Sequence, residues 1–523
     1  MTETLPIDGR SLTLEQFLAV ARAGCGVSLD PAARPTIEAA RRAVDRAVRS
    51  GRAVYGVTTG FGALSTATVD PARAAELQRA LVASHASGVG PPLPADVVRG
   101  MMLLRANSLA RGHSGVRPEL IDRLLALLNR GLVPWIPETG SVGASGDLAP
   151  LAHLAEAIVG DGAFVGPDGR RQPAADVLTA EDLPPLALVE KEGISLVNGT
   201  ALMASYLALA VEDVRALLEA ALFAAATSVD ALEGTPESFD DRLGALRGSP
   251  EERAIAGRLR ELLAESELAR PKREWSGQDP YTLRCIPQVL APVRHALRVA
   301  REIVTGELNA VTDNPLVFEG DEFVSGGNFH GESLAWALDS LASAVQILGA
   351  YSERRMFRLT HPALNRGLPA FLAPDPGVSS GFMIPQTVAA ALVSENATLA
   401  APATAYSLPT SADQEDFVSL GAWAGAKLRR MIDNARRIVA IEWLAAVQAL
   451  EYRRPKHGGS GVERAARAVR ARVGPWTRDH SPAGEIEALA EAIRTGELLA
   501  EAGGGQWGRA DDPSPPTEAP KTG

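Results

Sequence analysis

Residues 139–157 read TGSVGASGDLAPLAHLAEA, and the small residues Gly143, Ala144, Ser145 and Gly146, followed by Asp147, are the first place where this chain could do chemistry. Three uses of Ser145 compete. As a helix N-cap, Ser145 or Asp147 would accept a backbone N–H at the start of LAPLAHLAEAIVG and contribute about 1 kcal/mol. As a nucleophile, Ser145 would need the Gly-x-Ser-x-Gly elbow between a strand and a helix. Here the second glycine follows the serine directly and no strong strand precedes it, which disfavours a serine hydrolase. The third use involves the backbone. In a tight turn the Gly146 nitrogen can attack the Ala144 carbonyl. Loss of water from that adduct, and elimination of the Ser145 hydroxyl, leaves a five-membered ring with an exocyclic methylene. Bulky side chains at 144 and 146 would block the approach, so Ala and Gly suit it. The product is an electrophile, which unmodified side chains do not provide.

Other chemistries find little support. The histidines at 85, 113, 153, 295, 330, 361, 457 and 480 form no HExxH or Cys/His spacing, so no metal site is expected. The stretch GVTTGFG is glycine-rich but lacks the Lys-Ser/Thr ending of a phosphate-binding loop. A net charge of −11 argues against a nucleic-acid-binding surface. Two cysteines, Cys25 and Cys285, cannot build a disulfide framework and suit a reducing cytoplasm. The start, MTETLPIDGRSLTLEQF, carries no secretory pattern, and no uninterrupted apolar run is long enough for a bilayer, so no membrane association is expected.

The elements that must position these residues are mostly helices. PTIEAARRAVDRAVRSG (35–51) places Ile37, Ala40, Val44 and Val48 at helical spacing before a glycine. Residues 286–308, 333–355 and 420–451 are longer, and the first two are apolar over much of their circumference, as in the middle of a bundle or a subunit interface. Alternating strand patterns are scarce. AFVGPDGRRQ (163–172), with Asp168-Gly169 at its turn, is the best hairpin candidate. The hydrophobic share of 46% predicts a sizeable core. The reading is a mainly α fold with a central bundle of long helices: 1–200 as an N-terminal part, 201–505 as bundle and C-terminal helices, 506–523 as a loose tail.

GSVGASGDLAPLAHLA resembles the signature of the aromatic amino acid ammonia-lyase family, and most closely its histidine-specific branch. The resemblance continues in order through YGVTTGFGAL (55–64), LQRALVASHASGVG (77–90), LVNGT (196–200), GQDPYTLRCIPQV (277–289), VTDNPLVF (311–318), SGGNFHGE (325–332), SGFMIPQ (380–386) and SADQEDFVSLG (411–421). It covers roughly residues 50 to 430. It implies the ammonia-lyase and fumarase-like bundle, with an N-terminal part carrying the reactive loop and sites shared among the subunits of a homotetramer. It also implies that Ala144, Ser145 and Gly146 become 4-methylidene-imidazol-5-one (MIO), with no external cofactor.

Eliminating ammonia from an α-amino acid requires a better leaving group and removal of a weakly acidic β-proton. An electrophile that binds the amine meets the first need, and a positioned base the second. By resemblance Tyr55 is the base, on a loop whose glycines (Gly56, Gly60, Gly62) let it close over the substrate. A phenol is ordinarily a weak base, so neighbouring charge has to assist it. Arg284 has the planar fork that grips a carboxylate. Asn198, Gln278 and Tyr281 match positions that line the site, Phe329 matches the aromatic packed against the ring, and Asp147 follows the triplet. For the substrate, Ser84-His85, Glu415 and Met383 match the histidine branch. An imidazole can both donate to and accept from a facing histidine, and a carboxylate beside a bare phenyl would lack a partner. Thr58, Phe417, Thr398 and Ala401 depart from that branch. The implied reaction is L-histidine to trans-urocanate and ammonia; the alternative is an MIO-dependent tyrosine or phenylalanine ammonia-lyase or 2,3-aminomutase. Loss of Tyr55, Ser145 or Arg284 would have favoured an inactive helical scaffold, and all three are present.

Overall fold

Residues 4–271 and 277–508 are described in the computed structural model, so residues 509–523 of the expected tail lie outside the described residues. Four long helices dominate: Ala201–Ala231, Ile286–Glu307, Glu332–Thr360 and Gly421–Glu451. Three fall where the apolar pattern put them. The fourth, Ala201–Ala231, is buried along almost its whole length. A helix buried on all sides has no polar face, and so gives no 3.6-residue alternation to read. Glu332–Thr360 also has the length and apolar composition of a membrane span, yet its apolar window is 61% buried and Asp339 lies within the helix. That is how the core helix of a globular fold behaves.

By contacts the chain divides into two compact units. The first holds the residues up to Leu209 together with Arg301–Leu338 and Pro402–Ala426. Its strands come in two-stranded pairs: Leu5–Ile7 with Val27–Leu29 in parallel, Val89–Pro92 with Pro137–Thr139, Ala163–Val165 with Arg171–Pro173, and Leu316–Phe318 with Glu322–Val324, the last three antiparallel. The expected hairpin turns at Gly169, with φ +75°. Helix Arg34–Arg49 buries Ala40, Ala43, Val44 and Ala47 against Val54, Val57 and Val317. Val54 and Val57 flank Tyr55, so this apolar cluster anchors the base of the tyrosine loop.

The second unit holds Ala210–Ala300, Asp339–Ala401 and the chain from Lys427 onward. Phe223 stacks on Trp443 with centroids 5.5 Å apart and planes within 8°. Nearby, the fully buried Glu442 accepts from Arg355 Nε and Nη2 at 2.6 and 2.8 Å, and from Ser228 and Ser352 at 2.8 and 2.5 Å. Four donors satisfy a charge that burial would otherwise make costly.

Candidate active site

The Ala144-Ser145-Gly146 triplet forms a tight turn just before helix Leu148–Val159. Gly146 N–H donates to the Gly143 carbonyl at 3.3 Å, and Ser145 sits at φ +48°, where a non-glycine residue is strained. Gly146 has φ +81°, and a Cβ there would lie 2.1 Å from the Gly199 carbonyl oxygen. Only glycine fits. Residue 199 clamps the turn from the other side: its N–H donates to the Ser145 carbonyl at 3.3 Å, and its carbonyl accepts from Asp147 N–H at 2.7 Å.

Asp147 corrects one expectation. It stands at the N-cap position of Leu148–Val159 but makes no side-chain cap there. The third position of that helix is Pro150, which has no N–H to offer a cap. Its Oδ2 accepts instead from Leu202 and Met203 N–H, at 2.8 and 3.2 Å, and so caps helix Ala201–Ala231. Thr200, the residue before that helix, has its hydroxyl turned to Glu307. Burial pushes the Asp147 carboxyl up to about 7 against the pull of the two amides, with the Glu307 charge adding to the rise. Asp147 Oδ1 is buried without a hydrogen-bond partner.

Ser145 and Ala144 open into a cavity of about 980 Å3 whose wall also includes Tyr55, Ser84, His85, Asn198, Phe329 and Glu415. A cavity of that size holds an amino acid with room for loop closure. The Tyr55 hydroxyl accepts from Gly62 N–H at 3.0 Å. Buried Thr58 holds the loop base, donating to the Arg52 carbonyl at 2.7 Å and accepting from Val54 N–H at 2.9 Å. Gln78 adds a bond to the Gly56 carbonyl at 3.1 Å.

Ser84 and His85 end helix Ala74–His85. His85 Nδ1 lies 2.9 Å from the Leu81 carbonyl, which can only accept, and 3.0 Å from Ser84 Oγ, so Nδ1 carries a proton. His153, on the helix after the reactive turn, accepts from Gly88 N–H at 3.0 Å and ties the Ser84–His85 segment down. Burial lowers the pKa of His153, in keeping with an accepting, neutral ring.

Asn198 donates through Nδ2 to the Asn314 carbonyl at 3.2 Å, and its own carbonyl accepts from Arg105 at 2.6 Å. Behind it, Lys191 and Asp313 pair at 2.7 Å with both side chains fully buried. Burial alone would raise the Asp313 carboxyl; the Lys191 and Arg105 charges overcome that and hold it below the usual carboxylate range.

Glu415 reaches the triplet directly. Ser145 Oγ donates to its Oε1 at 2.7 Å, and Thr410 Oγ1 donates to its Oε2 at 2.9 Å. Thr410 and Glu415 also pair through their backbones, at 2.9 and 3.3 Å. Between them Ser411, Ala412 and Asp413 turn through three successive left-handed residues, φ +51°, +52° and +63°. Phe417 lies with its ring 6.3 Å from His330, whose Nε2 is 3.1 Å from the Phe417 carbonyl.

The cavity wall also includes Asn314, His330 and Gln414, which lie in the family-like motifs VTDNPLVF, SGGNFHGE and SADQEDFVSLG but are assigned no part by the resemblance. Gln278, Tyr281, Arg284 and Met383 do not line this wall; they belong to the second unit, where Gln278, Tyr281 and Met383 are exposed. Arg284 lies over the Tyr281 ring at 4.8 Å, and its Nε is buried without a partner. Among the described residues no group of three His, Cys, Asp or Glu side chains is arranged to hold a metal ion.

A mainly α fold with long core helices and a strained Ala-Ser-Gly turn facing a cavity defines the class of the ammonia-lyases and aminomutases. The aromatic amino acid lyase model matches residues 12–471, and the chain belongs to that family. It is a carbon–nitrogen lyase by that membership. The histidine ammonia-lyase of Symbiobacterium thermophilum is 48% identical over 493 residues, covering 94% of this chain and 97% of the relative. Among solved structures, histidine ammonia-lyase from Trypanosoma cruzi superposes with TM-score 0.91 at 37% identity, covering 99% of this chain and 100% of the other. Tyrosine aminomutase from Streptomyces globisporus gives TM-score 0.91 at 35% identity, with 96% and 98% covered.

Proposed function

We propose that this protein eliminates ammonia from L-histidine to give trans-urocanate. One observation carries the reading: Ala144 and Ser145 of the strained turn share a cavity wall with Tyr55, His85 and Glu415. The 48% identity to histidine ammonia-lyases over 94% of the chain supports it.

The residues present fit the MIO group. The turn is closed onto itself, Gly146 tolerates no side chain, and Asp147 keeps an unpartnered buried oxygen beside it. MIO would supply the electrophile that makes the amine a leaving group. Tyr55 removes the β-proton, its oxygen held in place by Gly62 N–H. His85 Nε2 accepts from the imidazole N–H, and Glu415 offers its carboxylate to the same ring. Asn198, fixed by Asn314 and Arg105, hydrogen-bonds the substrate. Phe329 closes the apolar side.

Arg284 grips the substrate carboxylate, and Gln278, Tyr281 and Met383 join it when further copies complete the site. Exposed apolar side chains support assembly as a homotetramer, with Ile384 61%, Trp423 56% and Tyr281 69% exposed in the single chain. We infer a cytoplasmic location, supported by the free Cys25 and Cys285.

Phe417 and the likeness to a tyrosine aminomutase favour the second reading, an MIO enzyme acting on tyrosine or phenylalanine. Incubation with L-histidine, L-tyrosine and L-phenylalanine separates them by the ultraviolet absorption of the acrylate and by β-amino acid analysis. Urocanate is expected, and it should vanish in Ser145→Ala. Coumarate, cinnamate or a β-amino acid without urocanate would overturn the histidine reading.

A further inference from the structure

We propose that Glu415 is used twice: before it meets any substrate, it acts as the acid that expels the Ser145 hydroxyl when the electrophile is made. The inference deepens the proposed function and rests on it. Its ground is the contact between Ser145 Oγ and Glu415 Oε1 at 2.7 Å, which exists only while residue 145 is still a serine.

Two dehydrations separate the turn from the finished ring. The first follows attack of the Gly146 nitrogen on the Ala144 carbonyl and releases that carbonyl's oxygen as water. The second acts on Ser145 alone: its Cα–H and Cβ–Oγ bonds break and a Cα=Cβ double bond forms. Hydroxide is a poor leaving group, so Oγ must receive a proton as the bond breaks. Glu415 is a titratable side chain at hydrogen-bond distance from that oxygen. For this step Oε1 takes up a proton from solvent, which reverses the 2.7 Å hydrogen bond so that Oε1 donates to Oγ; Oγ then leaves as water with that proton, and the proton lost from Cα goes to solvent. The net change is one water, with no oxidant or co-reactant.

The surroundings hold Glu415 to this task. Its second oxygen is engaged by Thr410 Oγ1 at 2.9 Å, which leaves Oε1 to Ser145. The carbon skeleton behind it is fixed by the Thr410–Glu415 backbone bridge and the left-handed Ser411, Ala412 and Asp413. Each left-handed non-glycine residue costs about 1–2 kcal/mol. Such strain persists where the surroundings impose a geometry. Further along the same segment Leu420 N–H donates to the Val142 carbonyl at 2.8 Å, so the Glu415 loop and the reactive turn are tied together. Once the hydroxyl has gone, Oε1 is released toward the cavity, where it is available to a substrate ring. One carboxylate thus serves maturation first and substrate recognition afterwards. Thr410 is a positioning residue in both stages.

Intact-mass spectrometry of freshly made protein tests this without any assay of turnover. Wild type should be lighter than its sequence by two waters. Glu415→Gln keeps a hydrogen-bonding group but no transferable proton. It should accumulate chains lighter by one water or by none, with the second loss slowed on the order of 10²-fold. Glu415→Ala should behave alike, and added acetate should restore the second loss, which a merely structural role would not produce. Thr410→Val should slow it less. Circular dichroism and gel filtration matched to wild type establish that the variants fold. If folded Glu415→Gln loses two waters as fast as wild type, the maturation role is wrong while the proposed function stands. If wild type itself loses no water, the proposed function fails with it.

Discussion

Tyr55 gains its position from three unrelated groups rather than from its own helix or strand. Val54 and Val57 bury on either side of it, Thr58 pins the loop base, and Gly62 N–H holds the phenol oxygen. The oxygen therefore faces the cavity already oriented, which lowers the entropy cost of the proton transfer. Tyr55→Phe should leave the melting temperature nearly unchanged, because only one half-buried hydrogen bond is lost. Turnover of L-histidine should fall by about 10²–10⁴-fold, the usual share of a positioned base. Steady-state kinetics beside a thermal melt would check both halves. Retention of wild-type turnover would remove Tyr55 from the mechanism. His85 is fixed with the same economy. The Leu81 carbonyl and Ser84 Oγ hold its Nδ1 at the end of helix Ala74–His85, which sets the orientation of the ring.

At the level of elements, the reactive turn is made by what lies against it. Gly146 meets Gly199, and Asp147 leaves its own helix to cap Ala201–Ala231. Gly146→Ala places a Cβ 2.1 Å from the Gly199 carbonyl at a left-handed φ. It should cost about 1–3 kcal/mol and lower the melting temperature. Because the displaced backbone also moves the attacking nitrogen, the chain should keep its full sequence mass. A two-water loss at wild-type stability would contradict the tightness of the turn. Much of this scale was legible beforehand. Apolar spacing marked three of the long helices, and Asp168-Gly169 marked the hairpin. The family resemblance pointed to Tyr55, His85, Ser145, Asn198, Phe329 and Glu415, all of which line the cavity. Three features were not legible. Helix Ala201–Ala231 is buried almost all round, most of its few charged residues included, so no polar face sets a periodicity to find it by. Asp147 sits ideally for a local cap, and only the missing N–H of Pro150 and the diverted Thr200 hydroxyl send it elsewhere. The grip of Glu415 on Ser145 spans 270 residues, and no local pattern encodes such a contact.

Across the whole molecule, each unit buries a carboxylate whose pKa burial raises well above the ordinary value. Burial pushes Asp147 in the first unit up to about 7, and Asp230 in the second up to about 6, although Ser266, Gly459 and Ala269 all donate to Asp230. Both start from an ordinary value of 3.8. A folded-state pKa above the unfolded one means that the folded chain binds the proton more tightly. The stability linked to each group is then full below about pH 4 and is lost as pH rises through about 6 for Asp230 and about 7 for Asp147. His153 works in the opposite sense. Its burial-lowered pKa makes the fold weaker as pH falls below the ordinary histidine value of 6.5. The two effects overlap, so the wild-type profile alone does not separate them, but variants do. Asp147→Asn keeps an acceptor for Leu202 and Met203 N–H while removing the titration. Its melting temperature should therefore rise relative to wild type at pH 8 and match it more closely at pH 5. Asp230→Asn should do the same with the change centred about one unit lower. The difference in unfolding free energy between the two pH values should be on the order of a few kcal/mol for Asp147. Thermal melts of the three proteins across this range are the measurement. Parallel profiles for wild type and Asp147→Asn would mean that Asp147 is already ionised in the fold. Its unpartnered Oδ1 would then be facing a compensating charge that the buried cluster of Asp147, Thr200 and Glu307 does not contain.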